Sequence, residues 1–198
     1  MFRLPVTSGA YLRRRTGIHP RSSRGQAFAG IRAGLIAALA VALASCAGEN
    51  EAPIEQPTFY RSLASPGAQL DATAAASMIS GFRQNNGLGA VTVDPVLMQL
   101  AQTQASAMAA RDKLDHESKG EFAKRMRKSG FDPKVTVENV SAGYHTLAEA
   151  FSGWRDSPPH RAHMLQPGVT RIGIAAVYTP NSKYKVYWAL ILAEPVGT

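Results

Sequence analysis

Four of the five histidines lie between His116 and His163, and Glu138 and several serines share that window. Imidazole and carboxylate are the groups that bind a divalent cation or move a proton near neutral pH. His116, Glu138 and His160 stand 22 residues apart in turn. No helical or strand repeat joins residues at that distance, so only tertiary structure could make them a site. Taken singly, each histidine reads more readily as a satisfied structural group than as a ligand. Ser157 precedes His160 by three residues, as a nucleophile beside a base would. Capping of a helix explains that serine as well, and no Gly-x-Ser-x-Gly elbow occurs. Glu149 closes the capping box Thr146-Leu-Ala-Glu149, which assigns it to a helix start rather than to acid catalysis. Cys46 is the single cysteine, which excludes an internal disulfide and any zinc site built on several thiolates.

The elements that would position these groups follow from pattern. Ala75, Met78, Ile79 and Phe82 fall at helical spacing, with Asn85-Asn86-Gly87 as a stop. Asp94-Pro95 opens a second helix, whose apolar stripe is Leu97, Leu100, Ala101, Ala105 and Met108. A shorter, basic third helix carries Phe122 and Met126 and ends at Gly130; Lys124, Arg125, Arg127 and Lys128 read as its solvated face. Val135–Val140 reads as a strand, so His116 follows a helix and Glu138 sits in a strand. The capping box starts a helix with Leu147, Ala150, Phe151 and Trp154 on one face. Ser157-Pro158-Pro159 starts another, which carries His160 and His163. Strands are expected at Arg171–Tyr178 and Tyr184–Ala193, joined by a turn at Pro180-Asn181-Ser182. The last strand is apolar on both faces and must be covered on each side. An α/β fold follows, with a sheet sandwiched between helical layers.

Charge is distributed unevenly. The 198 residues carry a formal +8, but residues 1–45 hold seven arginines and no acidic side chain. From residue 46 onward 15 basic side chains face 14 acidic ones, so nucleic acid is not expected as a partner. The arginines precede a twelve-residue uncharged run, Ala33–Ala44, too short to span a bilayer and suited to a signal peptide. Leu43-Ala44-Ser45-Cys46 looks like a bacterial lipobox, which makes Cys46 a lipid attachment point and residues 1–45 a lipoprotein signal peptide. A twin-arginine route through Arg13–Arg15 and an early start both account for the long leader. Ala47 follows the cysteine in place of the aspartate of inner-membrane retention, which favours the outer membrane and periplasm. Residues 46–70, with Pro53, Pro57, Pro66 and three glutamates, read as a flexible tether. The domain then occupies 71–198.

In order along the chain stand Asn86-Gly87-Leu88, Asp94-Pro95-x-Leu97, Leu100-Ala101 with Met108, His116, Glu138-Asn139-Val140 and Gly143. Trp154-x-x-Ser157-Pro158-x-His160-Arg161, Ile172-Gly173-Ile174 and Tyr187-Trp188 complete the series. With these residues, about 120 positions resemble the CAP, or SCP-like, family of cysteine-rich secretory, antigen 5 and pathogenesis-related proteins, in its disulfide-free bacterial branch. The resemblance implies a three-layer α-β-α sandwich. It also implies a cleft where two His and two Glu meet and where some members bind a divalent cation. Here the first His is His116, the first Glu is Glu138 and the second His is His160; the second Glu position is Ser157. Two imidazoles and one carboxylate could hold Zn²⁺ and a water, whereas Ca²⁺ would lack oxygens. His163 replaces the family's Asn after His-Arg and is expected at the surface. Ala189-Leu190-Ile191 replaces the polar and aromatic pair that often follows the tryptophan.

Family members are linked to sterol and lipid binding, mostly without established catalysis. The expectation is therefore a monomeric, lipid-anchored protein of the bacterial envelope that binds a lipid or cell-wall ligand at His116, Glu138, His160 and Ser157 without turnover. Two alternatives stay open. One is a metal-dependent hydrolase with Glu138 as base, or its metal-free variant with Ser157, His160 and Glu138. The other is a structural or interaction module in which the polar set stabilises a buried network.

Overall fold

The last strand decides the layering. In the computed structural model, which describes residues 55–197, Val186 to Ala193 are all buried. The alternation of a strand sends neighbouring side chains to opposite faces. Val186, Trp188, Leu190 and Leu192 enter one core and Tyr187, Ala189, Ile191 and Ala193 the other. Those two cores are the interfaces of the sheet with its two helical layers.

The elements run α1 (Ala72–Gln84), β1 (Thr92–Val93), α2 (Pro95–Arg111), α3 (Phe122–Lys128), β2 (Pro133–Ala142), α4 (Leu147–Asp156), α5 (Pro158–Met164), β3 (Arg171–Tyr178) and β4 (Val186–Pro195). The sheet order is β1-β3-β4-β2. The short β1, absent from the expected elements, pairs parallel to β3; β4 is antiparallel to both β3 and β2. Helices α1, α4 and α5 cover one face through Ile79, Leu147, Trp154 and Met164, while α2 and α3 cover the other through Leu97, Met108 and Met126. Trp154 and Trp188 meet edge to face, with centroids 6.2 Å apart. The fold is the α-β-α sandwich expected.

The helix starts expected at Asp94 and Thr146 form, and another forms at Asp71. Asp71 accepts from Ala74 N, Asp94 accepts from Val96 N and Leu97 N ahead of Pro95, and the Thr146–Glu149 capping box is complete. At its other end α2 terminates on Asp112 in the left-handed region (φ 48°). The Asp112 carboxylate accepts from Lys183 N (2.9 Å) and from the Tyr187 hydroxyl, tying the helix end to the β3–β4 loop. Burial and that bond push the Tyr187 hydroxyl up to about 12.

The leader, Cys46 and the first part of the expected tether (residues 46–54) lie outside the described residues. Its second part is not a free linker. A 3₁₀ turn spans Thr58–Tyr60, Leu63 N donates to His145 O (2.7 Å), and Leu63 is buried in the core. The packed domain therefore begins before Asp71, because the apolar Phe59, Leu63 and Leu70 find partners on it. Among the described residues no helix is long and apolar enough to cross a membrane.

Arg83, in the last turn of α1, is 1% exposed. Its guanidinium donates to the carbonyls of Gly89 (2.9 Å), Met164 (2.8 Å), Gln166 (3.0 Å) and Val169 (3.0 Å). It thus fastens the α5–β3 connection to α1. Arg83→Met should cost about 2–3 kcal/mol, since buried carbonyls lose their donors together. A denaturant midpoint within experimental error of the parent would refute that assignment.

Candidate functional site

Strand β2 lies at the sheet edge, and two of its consecutive residues serve opposite layers. Glu138 points to the α2/α3 side and Asn139 to the α1/α4/α5 side, as strand alternation requires. The site is built over this edge, with one imidazole reaching it from the α2–α3 loop and two from α5.

On the first side the Glu138 side chain is 2% exposed. Its carboxylate accepts from Arg125 Nη2 at 2.9 and 3.0 Å, and Oε2 also lies 3.1 Å from His116 Nδ1. A carboxylate facing Nδ1 places a proton on that nitrogen. Arg125 further donates to His116 O (3.1 Å) and Gly120 O (3.1 Å), so one buried guanidinium holds both the acid and the loop that carries the histidine. Gln104 Nε2 anchors the same loop at Asp115 O (2.7 Å). The His116 ring itself is half exposed.

On the second side Asn139 is fully buried. Its amide donates to His160 O (3.0 Å), and its Oδ1 accepts from His163 Nδ1 (2.8 Å). His163 Nδ1 also lies 3.1 Å from Glu138 O, a carbonyl on the outer side of β2. Both neighbours are acceptors, so Nδ1 of His163 carries the proton. His160 Nδ1 lies 2.9 Å from Ser157 Oγ.

The two rings respond to their surroundings in opposite senses. The bond to Glu138 holds His116 above its ordinary value near 6.5. Burial, followed by the positive charges of His163 and His116, holds His160 below it. The raised His116 stabilises the fold fully below about pH 6.5, and this contribution fades as pH climbs through the folded value. The lowered His160 works the other way. Its contribution is full above pH 6.5 and is lost on acidification, because the unfolded ring takes up a proton that the folded ring resists. Histidine ring NMR should give a midpoint above 6.5 for His116 and below it for His160; the reverse order would contradict the pairings.

The structure brings His116 to Glu138 and His160 to Ser157, and it puts both pairs on the two sides of one strand. Three expectations change. Ser157 precedes α5 as an N-cap, yet its hydroxyl makes no capping bond and is turned to His160 instead. The metal-free triad is not assembled, because Glu138 orients His116 and not His160. Pro158 and Pro159 also deprive the first turn of α5 of the N–H groups that an oxyanion would need. His163, expected at the surface, is half-buried and held against the edge of β2.

For Zn²⁺ the expected donors were His116, Glu138 and His160. Among the described residues no three His, Cys, Asp or Glu side chains are grouped to hold a metal ion. Both Glu138 oxygens are engaged by a guanidinium, which would oppose a cation beside it. These residues do not fit a three-ligand metal centre as they stand.

Sequence reasoning missed Arg125 and Asn139. Arg125 falls on the apolar stripe between Phe122 and Met126, three residues from the first and adjacent to the second, and stacks on the Phe122 ring at 5.1 Å. That position was the available signal.

A three-layer sandwich with a histidine–glutamate pair on one side of its edge strand and a histidine–serine pair on the other has the layering and the residue set that the resemblance to SCP-type domains implies. Residues 76–192 match the cysteine-rich secretory protein family (CAP), and the chain belongs to it. It is 27% identical over 141 residues to the uncharacterized protein YkwD of Bacillus subtilis (strain 168), covering 65% of this chain and 55% of that one. The chain thus spans about half the length of this relative. An outer surface protein from Borrelia burgdorferi has the same fold (TM-score 0.57, 19% identity, 65% of this chain and 98% of that one). So does an extracellular protein containing a SCP domain from Bacillus anthracis str. Ames (TM-score 0.54, 18% identity, 62% and 39%).

Proposed function

We propose that this chain is an exported, lipid-anchored protein of the bacterial envelope whose CAP domain binds a lipid or cell-wall ligand in the His116/Glu138/His160 cleft without turning it over. One observation carries the binding reading. Glu138, the carboxylate of this set, is buried and engaged by Arg125 and His116. A group so held, with its side chain 2% exposed, positions a ring and does not reach out to a substrate's proton. Export and anchoring rest on the arginine-rich leader, the run Ala33–Ala44 and Leu43-Ala44-Ser45-Cys46. The surface and extracellular descriptions of the two structural relatives agree with export. The domain acts as a monomer, and its near-neutral charge offers nothing to nucleic acid.

Two measurements test this. Labelled palmitate should enter the full chain and be lost in Cys46→Ala; labelling that survives the substitution would end the anchor. In a panel of phospholipids, sterols and muropeptides, at least one should bind saturably, and the binding should fail in His160→Ala with the melting temperature kept. Binding indifferent to His116 and His160 would leave the polar set a structural role alone.

A further inference from the structure

Strand β3 has an open edge. Its partner on that side, β1, is two residues long and pairs only with Arg171 and Ile172. The ladder with β4 settles which backbone groups of β3 face outward. Just past the strand Thr179 N donates to Lys185 O (2.8 Å), so Val177, Ala175 and Gly173 spend their N–H and C=O groups on β4. Ile172, Ile174, Ala176 and Tyr178 alternate with them and point away from β4. The first two are served: Ile172 O accepts from Asp94 N (2.9 Å), and Ile174 N donates to the Met98 thioether (3.3 Å). Among the described residues nothing bonds the outward N–H or C=O of Ala176 or Tyr178. β3 also carries neither lysine nor proline, the residues that ordinarily blunt an edge. Ala176 and Tyr178 line a groove of about 510 Å³, bounded by segment 65–68, by Gln102 of α2 and by Pro180. That volume is ordinary for a ligand cleft, and no residue lining it is charged.

We propose that an extended, uncharged peptide segment adds to the sheet in this groove, continuing the line of β1 and pairing with Ala176 and Tyr178. The hydrogen bonds name the occupant. The edge presents alternating donors and acceptors about 6.5–7 Å apart, the repeat of every second residue in a strand, and a peptide backbone supplies the matching set. The same edge already takes one strand of the chain, because β1 pairs with it at Arg171 and Ile172. The neutral lining suits a segment of small or apolar side chains. In the order β1-β3-β4-β2 this edge lies across the sheet from β2, so the groove is separate from the histidine cleft and does not depend on what that cleft binds.

The test pans the full chain against a library of random eight-residue peptides and follows the enriched peptide by amide hydrogen exchange in NMR. Without peptide, the amides of Ala176 and Tyr178 should exchange fast beside that of Val177, which is bonded to β4. With peptide they should slow at least tenfold, while the ring signals of His116 and His160 stay in place. Ala176→Pro removes the outward N–H and none of the bonds to β4, a replacement that an edge position tolerates. It should weaken binding about tenfold, the worth of one backbone hydrogen bond. The same peptide N-methylated at alternate residues should lose binding to the parent chain, a readout that holds even if Ala176→Pro does not fold. A library that yields no peptide protecting these two amides overturns the proposal. So does binding indifferent to both Ala176→Pro and N-methylation, or a peptide that moves the histidine signals instead. Protection that appears without peptide and grows with protein concentration would give the edge to a second copy of the chain, and the peptide would be wrong.

Discussion

Glu138→Gln is expected to destabilise the domain by about 3–5 kcal/mol, the usual cost of breaking a buried ion pair from one side. The reason lies in Arg125 rather than in the glutamate. Glutamine preserves the shape of the side chain and one acceptor, but it leaves the guanidinium charged inside the protein with no countercharge. Arg125 cannot escape by losing its proton, and its bonds to His116 O and Gly120 O keep it in place. The loop that carries His116 is then held by a donor whose own position has become unfavourable. Urea unfolding should show a midpoint lower by about 2 M, given slopes of roughly 1–3 kcal/mol/M. Arg125→Met in the same background should recover part of the loss, because it removes the unpaired charge together with its source. A cost under about 1 kcal/mol for Glu138→Gln would mean that water reaches the pair and that the site is not closed in this way.

The same ion pair shows what the sequence could and could not disclose. Layering was legible, because periodicity and caps are local signals. The continuous apolar run of β4 required cover on both faces, and Asp94 and Thr146 announced their helices. His116, Glu138, Ser157 and His160 were legible only through their order along the chain, which the family resemblance supplied. The fastening of the site was not legible. Arg83 and Arg125 each sit on the buried stripe of a helix, but arginine usually faces solvent, and the acceptors of Arg83 are mostly carbonyls far along the chain. Nothing in local spacing marks a carbonyl as an acceptor. His163 and Asn139 failed for a related reason. Their partnership crosses from α5 to an edge strand, and the edge position of β2 follows from pairing order, which one strand's sequence does not contain. Of the two buried cations, Arg125 thereby ties the fold to the site, because it engages the Glu138 carboxylate and the loop that carries His116.

Gly173→Ala should be still more damaging, at about 4 kcal/mol or more, at the upper end of what single substitutions do. Gly173 lies in β3, paired with Ile191 of the doubly buried strand. A Cβ built on it would fall closer than 3.0 Å to Leu97 C, Leu97 O and Met98 N, all backbone atoms at the start of α2. A side chain in that position could rotate away, but a helix backbone cannot. The pressure must be relieved by moving α2 off the sheet, which opens the packing of Leu97, Ala101, Ala105 and Met108. The backbone angles of Gly173 lie outside the left-handed region, so the loss is steric and not conformational. Gly81 provides the control. It is in α1 with open space around its Cβ position, and Gly81→Ala should stabilise by up to about 1 kcal/mol through the greater helix propensity of alanine. The displacement also reaches the cleft, since α2 runs on through Asp112 to the loop bearing His116. Any folded Gly173→Ala protein should therefore show a shifted His116 ring signal and an unaltered His163 signal, because Asn139 holds the latter from the other layer. Equal stability for the two alanine variants would show that α2 can ride away from β3 without cost, and the close approach at Gly173 would then have no role in seating the helix.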